Sequence, residues 1–238
     1  MKHYPSIPKF MDICDDIYAF DKLDGSQIRA EYNSKKGFYK FGTRNQLIDR
    51  LTDPWGLAVK LVNDKYAIGI DEVCRRQGWK DAICFFEFWG PSSFAGTHSF
   101  ADGEPLTVTL FDVNPYKQGI MEPKEFIHFF GHLDIPKVLY HGPVNTELFD
   151  KVKQSTLPGM TFEGVVCKGP SQTAAKMPSM FKIKSQAWLD KLRVYCKGGV
   201  CLVFARSFGT LASEDITVTE SEETAQHENS SLWLVSPR

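Results

Sequence analysis

With 238 residues, 42% of them apolar and 24% charged, the chain can bury a sizeable core as one large domain or two small ones, and its balance excludes fibrous and low-complexity classes. No stretch approaches the roughly 18 apolar residues that span a bilayer, and Met1-Lys2-His3-Tyr4-Pro5 does not open a secretory leader, so an intracellular, cytoplasmic protein with no membrane association is expected. The net charge of −1 is uneven: residues 208–238 hold six acids and one base, leaving a net +4 on the remainder, a mildly basic body suited to transient contact with polyanions.

In chain order, residues 17–23 form an apolar-rich strand that runs into the turn signal Asp24-Gly25-Ser26. Ile28, Ala30 and Tyr32 then alternate with Arg29, Glu31 and Asn33, the period of a half-buried strand, and residues 37–42 make a third strand. Apolar spacings of three and four through Trp55, Val59, Val62, Tyr66, Ile70 and Val73, behind Pro54, predict a helix over 54–77. Buried strands follow at 82–89 and 106–113, helices at 123–133 and 146–154, strands at 161–168 and 180–184, and a helix over 186–196. Strands interrupted by helices without regular alternation read as α+β with mainly antiparallel sheets. Residues 208–238, rich in Ser, Thr and Glu, form an acidic tail expected to be partly disordered. The six cysteines make no Cys-x-x-Cys pair and read as reduced, mostly buried thiols, while Cys196 and Cys201 flank a Gly-Gly and could approach each other.

Five segments carry candidate chemistry. Lys22-Leu23-Asp24-Gly25 places an amine at a strand end, at a rim. Arg44 follows a strand in F-G-T-R-N. Glu87, in F-F-E-F-W-G, and Glu163, in F-E-G-V-V, are acids among apolar neighbours and are costly unless paired or used. Lys182 and Lys184 alternate on one strand face and repel unless an anion lies between them. A nucleoside triphosphate with its metal ion satisfies both sets at once: the cations hold phosphates, one acid holds the metal and another accepts from the ribose.

These segments, in the order K-L-D-G, F-E-F-W-G, F-E-G-V-V and F-K-I-K, resemble the covalent nucleotidyltransferase superfamily of polynucleotide ligases and mRNA-capping guanylyltransferases. The opening Y-P-S-I-P-K-F and the D-G-S after the lysine look most like ATP-dependent RNA ligases of the RNA ligase 2 type, over roughly residues 4–185. The resemblance implies an ATP-grasp-like nucleotidyltransferase domain over residues 1–207 and an acidic tail over 208–238. Lys22 would be the nucleophile that becomes lysyl-AMP, its amine made neutral by a pKa lowered by Lys182, Lys184 and a metal ion. Lys182 and Lys184 would neutralise phosphoryl charge and, with Mg²⁺ or Mn²⁺, align the leaving pyrophosphate. Glu163 matches the metal-site acid, Glu87 the ribose acceptor, Arg44 the ribose or phosphate ligand, and Phe111, in L-F-D-V, the aromatic that stacks on the purine. Asp21 stands where the family reads the base edge, and Asp24 and Gln27 complete the nucleotide-binding set.

Two departures qualify the match. Gln27 stands where DNA ligases and capping enzymes carry Arg and RNA ligases often Asn; its amide still offers a donor. Only 53 residues follow Ser185, too few for an appended OB-fold beside the acidic tail. The expectation is a monomeric ATP-dependent RNA ligase acting in RNA repair on RNA or mixed RNA/DNA ends, with a protein partner as one source of the missing C-terminal domain. A GTP-dependent capping guanylyltransferase and a noncatalytic binder of nucleic-acid ends are the alternatives.

Overall fold

The computed structural model describes residues 2–9, 16–100, 103, 105–171 and 177–196. The acidic tail and the domain boundary at 207 lie outside them. Nine strands form two antiparallel sheets. The five-stranded sheet is built from β2 (Ser26–Asn33), β3 (Gly37–Gly42), β4 (Leu47–Ile48), β5 (Asp81–Trp89) and β6 (Thr107–Pro115), in the order β4-β3-β2-β5-β6. The four-stranded sheet is built from β1 (Ile17–Asp21), β7 (Val138–Gly142), β8 (Gly164–Ser171) and β9 (Pro178–Lys184), in the order β7-β1-β8-β9.

Each sheet buries one face under helices. Helix α1 (Gly56–Gln77) presents Val59, Val62, Tyr66, Ile70 and Val73 to Ile28, Ala30, Tyr32, Phe86 and Phe88 of the larger sheet, as the three-and-four spacing requires. It starts two residues later than the periodicity predicts, with Pro54 outside it behind a cis Asp53–Pro54 peptide. Helix α2 (Pro123–Phe130) adds Phe126 and Phe130 to the same core. Helix α3 (Thr146–Lys153) sets Leu148 and Val152 on Ile17, Ala19, Val165, Phe181 and Ile183 of the smaller sheet, and Asn145 caps it by accepting from the Leu148 N–H at 2.8 Å. Helix α4 (Gln186–Tyr195) follows β9 directly.

The opposite faces of the two sheets meet each other. Tyr4, Phe85, Ile120 and Met180 form a small core between them. Residues 2–9 run across this seam: the Lys182 N–H donates to the Pro8 carbonyl at 2.9 Å, Arg44 Nη2 to Ser6 Oγ at 3.0 Å, and Arg29 Nη1 to the Lys2 carbonyl at 3.3 Å. Arg29 is therefore buried on the face that simple alternation assigns to solvent. Cys74, Cys84 and Cys167 are buried thiols as expected, whereas Cys196 is disulfide-bonded, contrary to the expected reduced state.

His98 supplies a pH-dependent element. Its Nδ1 lies 2.8 Å from Ser93 Oγ and its Nε2 2.9 Å from Ser26 Oγ, with the Phe88 ring 5.1 Å away. Burial pushes the imidazole down to about 4. The unfolded chain takes up that proton near pH 6.5, so it binds more protons than the fold between those values, and stability falls as pH drops through that window. The expected loss is about 1–2 kcal/mol, since the ring keeps some solvent contact. Urea midpoints at pH 7.5 and 4.5 should converge less for the native chain than for His98→Gln; equal losses in both would disprove the assignment.

Candidate active site

A pocket of about 220 Å³ opens in the seam between the sheets. The smaller sheet and its following turn contribute Phe20, Asp21, Lys22, Val166, Lys168 and Lys182; the larger contributes Gln27, Glu87 and Phe111; Tyr4 to Ile7 close one side and Arg44 stands at the mouth. Seven of the sequence-predicted residues (Asp21, Lys22, Gln27, Arg44, Glu87, Phe111 and Lys182) thus line one cavity, although they span 162 positions in the chain.

The nucleophile candidate sits where β1 ends. The Lys22 N–H donates to the Gly164 carbonyl at 2.9 Å, which fixes the lysine against the start of β8. Gly164 has φ +136°, and a Cβ there would lie 2.1 Å from the Ile183 carbonyl, so only glycine permits the approach of β8 to β9 behind Glu163. Gly25 has the same necessity on the other side, where a Cβ would lie 2.3 Å from the Phe88 carbonyl. Lys22 Nζ lies 2.7 Å from Glu163 Oε2, and Lys184 Nζ lies 3.2 Å from Glu163 Oε1. Glu163 is 4% exposed, so one nearly buried carboxylate is shared by two ammonium groups.

The charges set the protonation states. For Lys22, burial pulls the pKa down, but the Glu163, Glu87 and Asp24 carboxylates outweigh it and hold the amine above its ordinary value. This reverses the expectation of a lowered pKa: the neighbouring lysines act on Lys22 less than three acids do in the nucleotide-free site. Lys184 is brought down to about 8, chiefly by burial and further by Lys22, against the pull of Glu163; Lys182 is lowered by burial and Lys22. Glu87 is raised to about 8 by burial, despite Lys22 and a hydrogen bond from the Gly25 N–H. The Gln27 Nε2 is buried with no hydrogen-bond partner, a donor available to a ligand in the pocket.

Asp24 departs from the ligand-facing position expected of it. Its Oδ1 accepts from the Ala95 N–H at 2.9 Å and its Oδ2 from the Trp188 indole at 2.6 Å, so it ties the turn after Lys22 to the 93–97 loop and to α4. Asp21 Oδ1 accepts from Thr161 N–H at 2.8 Å and Oγ1 at 3.0 Å. Those bonds hold residues 161–163 against the site, and β8 therefore begins at Gly164 and not at the expected 161.

Phe111 reaches the pocket through a register shift. Phe85 pairs with Asp112 and Phe86 with Leu110, which leaves Phe111 as the extra residue of a β-bulge. The Tyr4 ring meets Phe111 edge-on at 5.0 Å. Beneath it, Lys168 and Asp112 form an ion pair at 2.8 Å, with side chains 4% and 0% exposed, that links β8 to β6; Lys168 also donates to the Phe111 carbonyl at 2.9 Å, and the Tyr4 hydroxyl donates to Asp112. Sequence reasoning missed this group. Lys168 shares a strand face with Val166 and was detectable as a lysine continuing an apolar strand; Tyr4 gave no local signal, since Phe85, Phe111, Asp112 and Met180, which it meets, all lie more than 80 residues away.

Among the described residues no set of three or more His, Cys, Asp or Glu side chains could hold a metal ion, and no helix is long and apolar enough to cross a membrane. A single carboxylate, Glu163, facing a cationic pocket fits a Mg²⁺-type ion carried in on phosphates, which takes one or two protein carboxylates and keeps its waters.

A lysine at a strand end, an acid shared by two ammonium groups and a pair of strand lysines thus stand at a cleft between two antiparallel sheets. Solved structures share the fold. An archaeal ATP-dependent RNA ligase (form 1) superposes with a TM-score of 0.60 at 17% identity over 82% of this chain and 51% of its own, and form 2 with 0.57 at 16% over 80% and 50%. A Naegleria gruberi RNA ligase with pyrophosphate gives 0.53 at 16% over 74% and 51%. The chain spans about half the length of these proteins. No protein-family model and no curated protein sequence matches it.

Proposed function

We propose that this chain is the adenylyltransferase unit of an ATP-dependent RNA ligase. The observation that carries the reading is the convergence of Lys22, Glu163 and Lys184 within 3.2 Å at the edge of a cavity lined by Lys182, Arg44, Glu87 and Phe111. Solved forms of the Naegleria ligase with ATP and Mn and with AMP and Mn support ATP as the nucleotide.

In this reading Phe111 and Asp21 receive the purine, and Glu87 and Arg44 the ribose and phosphates. Lys22 releases a proton to solvent water and its nitrogen attacks the α-phosphorus; the bond to the bridging oxygen breaks, pyrophosphate leaves, and a phosphoramidate to AMP remains. Lys182 and Lys184 balance the charge that builds on the departing group. Glu163 would hold a divalent ion, Mg²⁺ or Mn²⁺, which would supply further charge neutralisation on the phosphates. AMP then passes to a 5′-phosphate end, and a 3′-hydroxyl displaces it.

Incubation with Mg²⁺ and α-labelled ATP or GTP, followed by denaturing electrophoresis, tests the reading. Label retained from ATP, and lost in Lys22→Ala, is expected. Label from GTP alone indicates a capping-type guanylyltransferase, and none from either indicates a noncatalytic binder of nucleic-acid ends.

A further inference from the structure

Helix α4 lies outside the pocket lining, yet one of its side chains touches two elements of the site. Trp188 is 3% exposed. Its indole N–H donates to Asp24 at 2.6 Å, fixing the turn two residues beyond the nucleophile. The face of the same indole carries the Lys184 ammonium, 3.5 Å from the ring centroid. That distance is close for a cation over a ring, and Trp offers the most favourable face for it. The helix that holds the ring is itself pinned to the site: Ser185 accepts from the Trp188 N–H at 3.1 Å as N-cap, and its own N–H donates to the Glu163 carbonyl at 2.9 Å.

A lysine side chain has four rotatable bonds, and an ammonium beside a single shared carboxylate is free to swing about it. The indole face, in contact with the same ammonium that Glu163 holds, limits that freedom. We infer that Trp188 is a positioning residue of the adenylyl-transfer site: its ring aims the Lys184 ammonium and its N–H holds the Asp24 turn, so that both lysines meet the same phosphate. The inference rests on the function proposed above and adds to it a residue on an element that contributes nothing to the pocket wall. Because aim is at stake, its loss falls on the rate of the transfer step more than on nucleotide affinity.

The test compares Trp188→Phe and Trp188→Leu with the native chain in single-turnover labelling at graded Mg-ATP. The leucine variant is expected to lose at least tenfold in the limiting rate with KM changed less than threefold, and the phenylalanine variant, which keeps a ring face but loses the N–H to Asp24, to lose about three- to fivefold. A native rate in the leucine variant, or equal losses in both variants, overturns the role of the ring. A second measurement does not depend on how the leucine variant folds. In ¹H–¹³C spectra of the native chain, the Lys184 CεH₂ signal, assigned by its absence in Lys184→Arg, should lie upfield of ordinary lysines because of the indole ring current; an unshifted signal overturns the inference. Absence of label in the native chain would sink the transferase reading and the positioning role with it, whereas label that is insensitive to Trp188 sinks the positioning role alone.

Discussion

Lys168→Met should cost the fold about 3–5 kcal/mol, read as a drop in the urea midpoint with little change in slope. The reason is the partner left behind. Asp112 has no solvent exposure, and burial already pushes its carboxyl up against the opposing pull of Lys168 and Tyr4. Removing the cation leaves a buried carboxylate that must either stay charged without compensation or take up a proton. A surface ion pair would be worth at most about 1 kcal/mol, so the size of the effect separates the two descriptions. The double variant Lys168→Met/Asp112→Leu should recover at least half of the loss, because the pair as a unit contributes far less than its disruption costs. A single-variant loss under about 1 kcal/mol would show that the seam tolerates an unpaired Asp112, contrary to its burial.

Glu163→Gln should lower lysine labelling on the order of 10²–10³-fold while leaving the fold intact. Glutamine keeps the shape but removes the charge that two ammonium groups share. The same change should move Lys22 the other way from what loss of activity suggests. With its nearest carboxylate gone, the amine is freed from the attraction that outweighs burial, and its pKa should fall. Reductive methylation of the nucleotide-free protein across a pH series, with Lys22 followed by peptide mass, measures this directly. A less active variant with a more reactive lysine is the expected pairing; unchanged methylation of Lys22 would mean that Glu163 does not set its charge.

Much of this was legible in the sequence where the signal is local. Strand β3 and the starts of α2, α3 and α4 fall at the expected residues, because turn chemistry, N-caps and three-and-four spacing act within a few positions. Strand β4 is two residues long and β7 carries no clear alternation, its residues being mostly half-exposed, so neither offered a period to read. For the site, the short segments around Lys22, Glu87, Glu163 and Lys182 stand out because charged residues interrupt apolar strands. What the sequence withheld is long-range. Arg29 is buried because residues 2–9 cover it, Asp24 is consumed by Ala95 and Trp188, and the two acids that act most on Lys22, Glu163 and Glu87, come from distant segments. None of these follows from neighbours in the chain.

The bulge at Phe111 has a consequence for how the protein tolerates length changes. In an unbroken strand, Phe111 and Asp112 would point to opposite sides; the extra residue turns ring and carboxylate toward the same seam and resets the parity of everything from Asp112 to Pro115. Deleting Phe111 would restore plain alternation and leave the pairing of Leu110, Asp112 and Val113 with β5 intact, removing only the ring from the pocket, whereas deleting a residue beyond the bulge would exchange inside for outside along the rest of β6. The pocket is written in strand phase as well as in side-chain identity, and a single-residue deletion between Val113 and Pro115 should be far more damaging than the loss of the bulge residue itself.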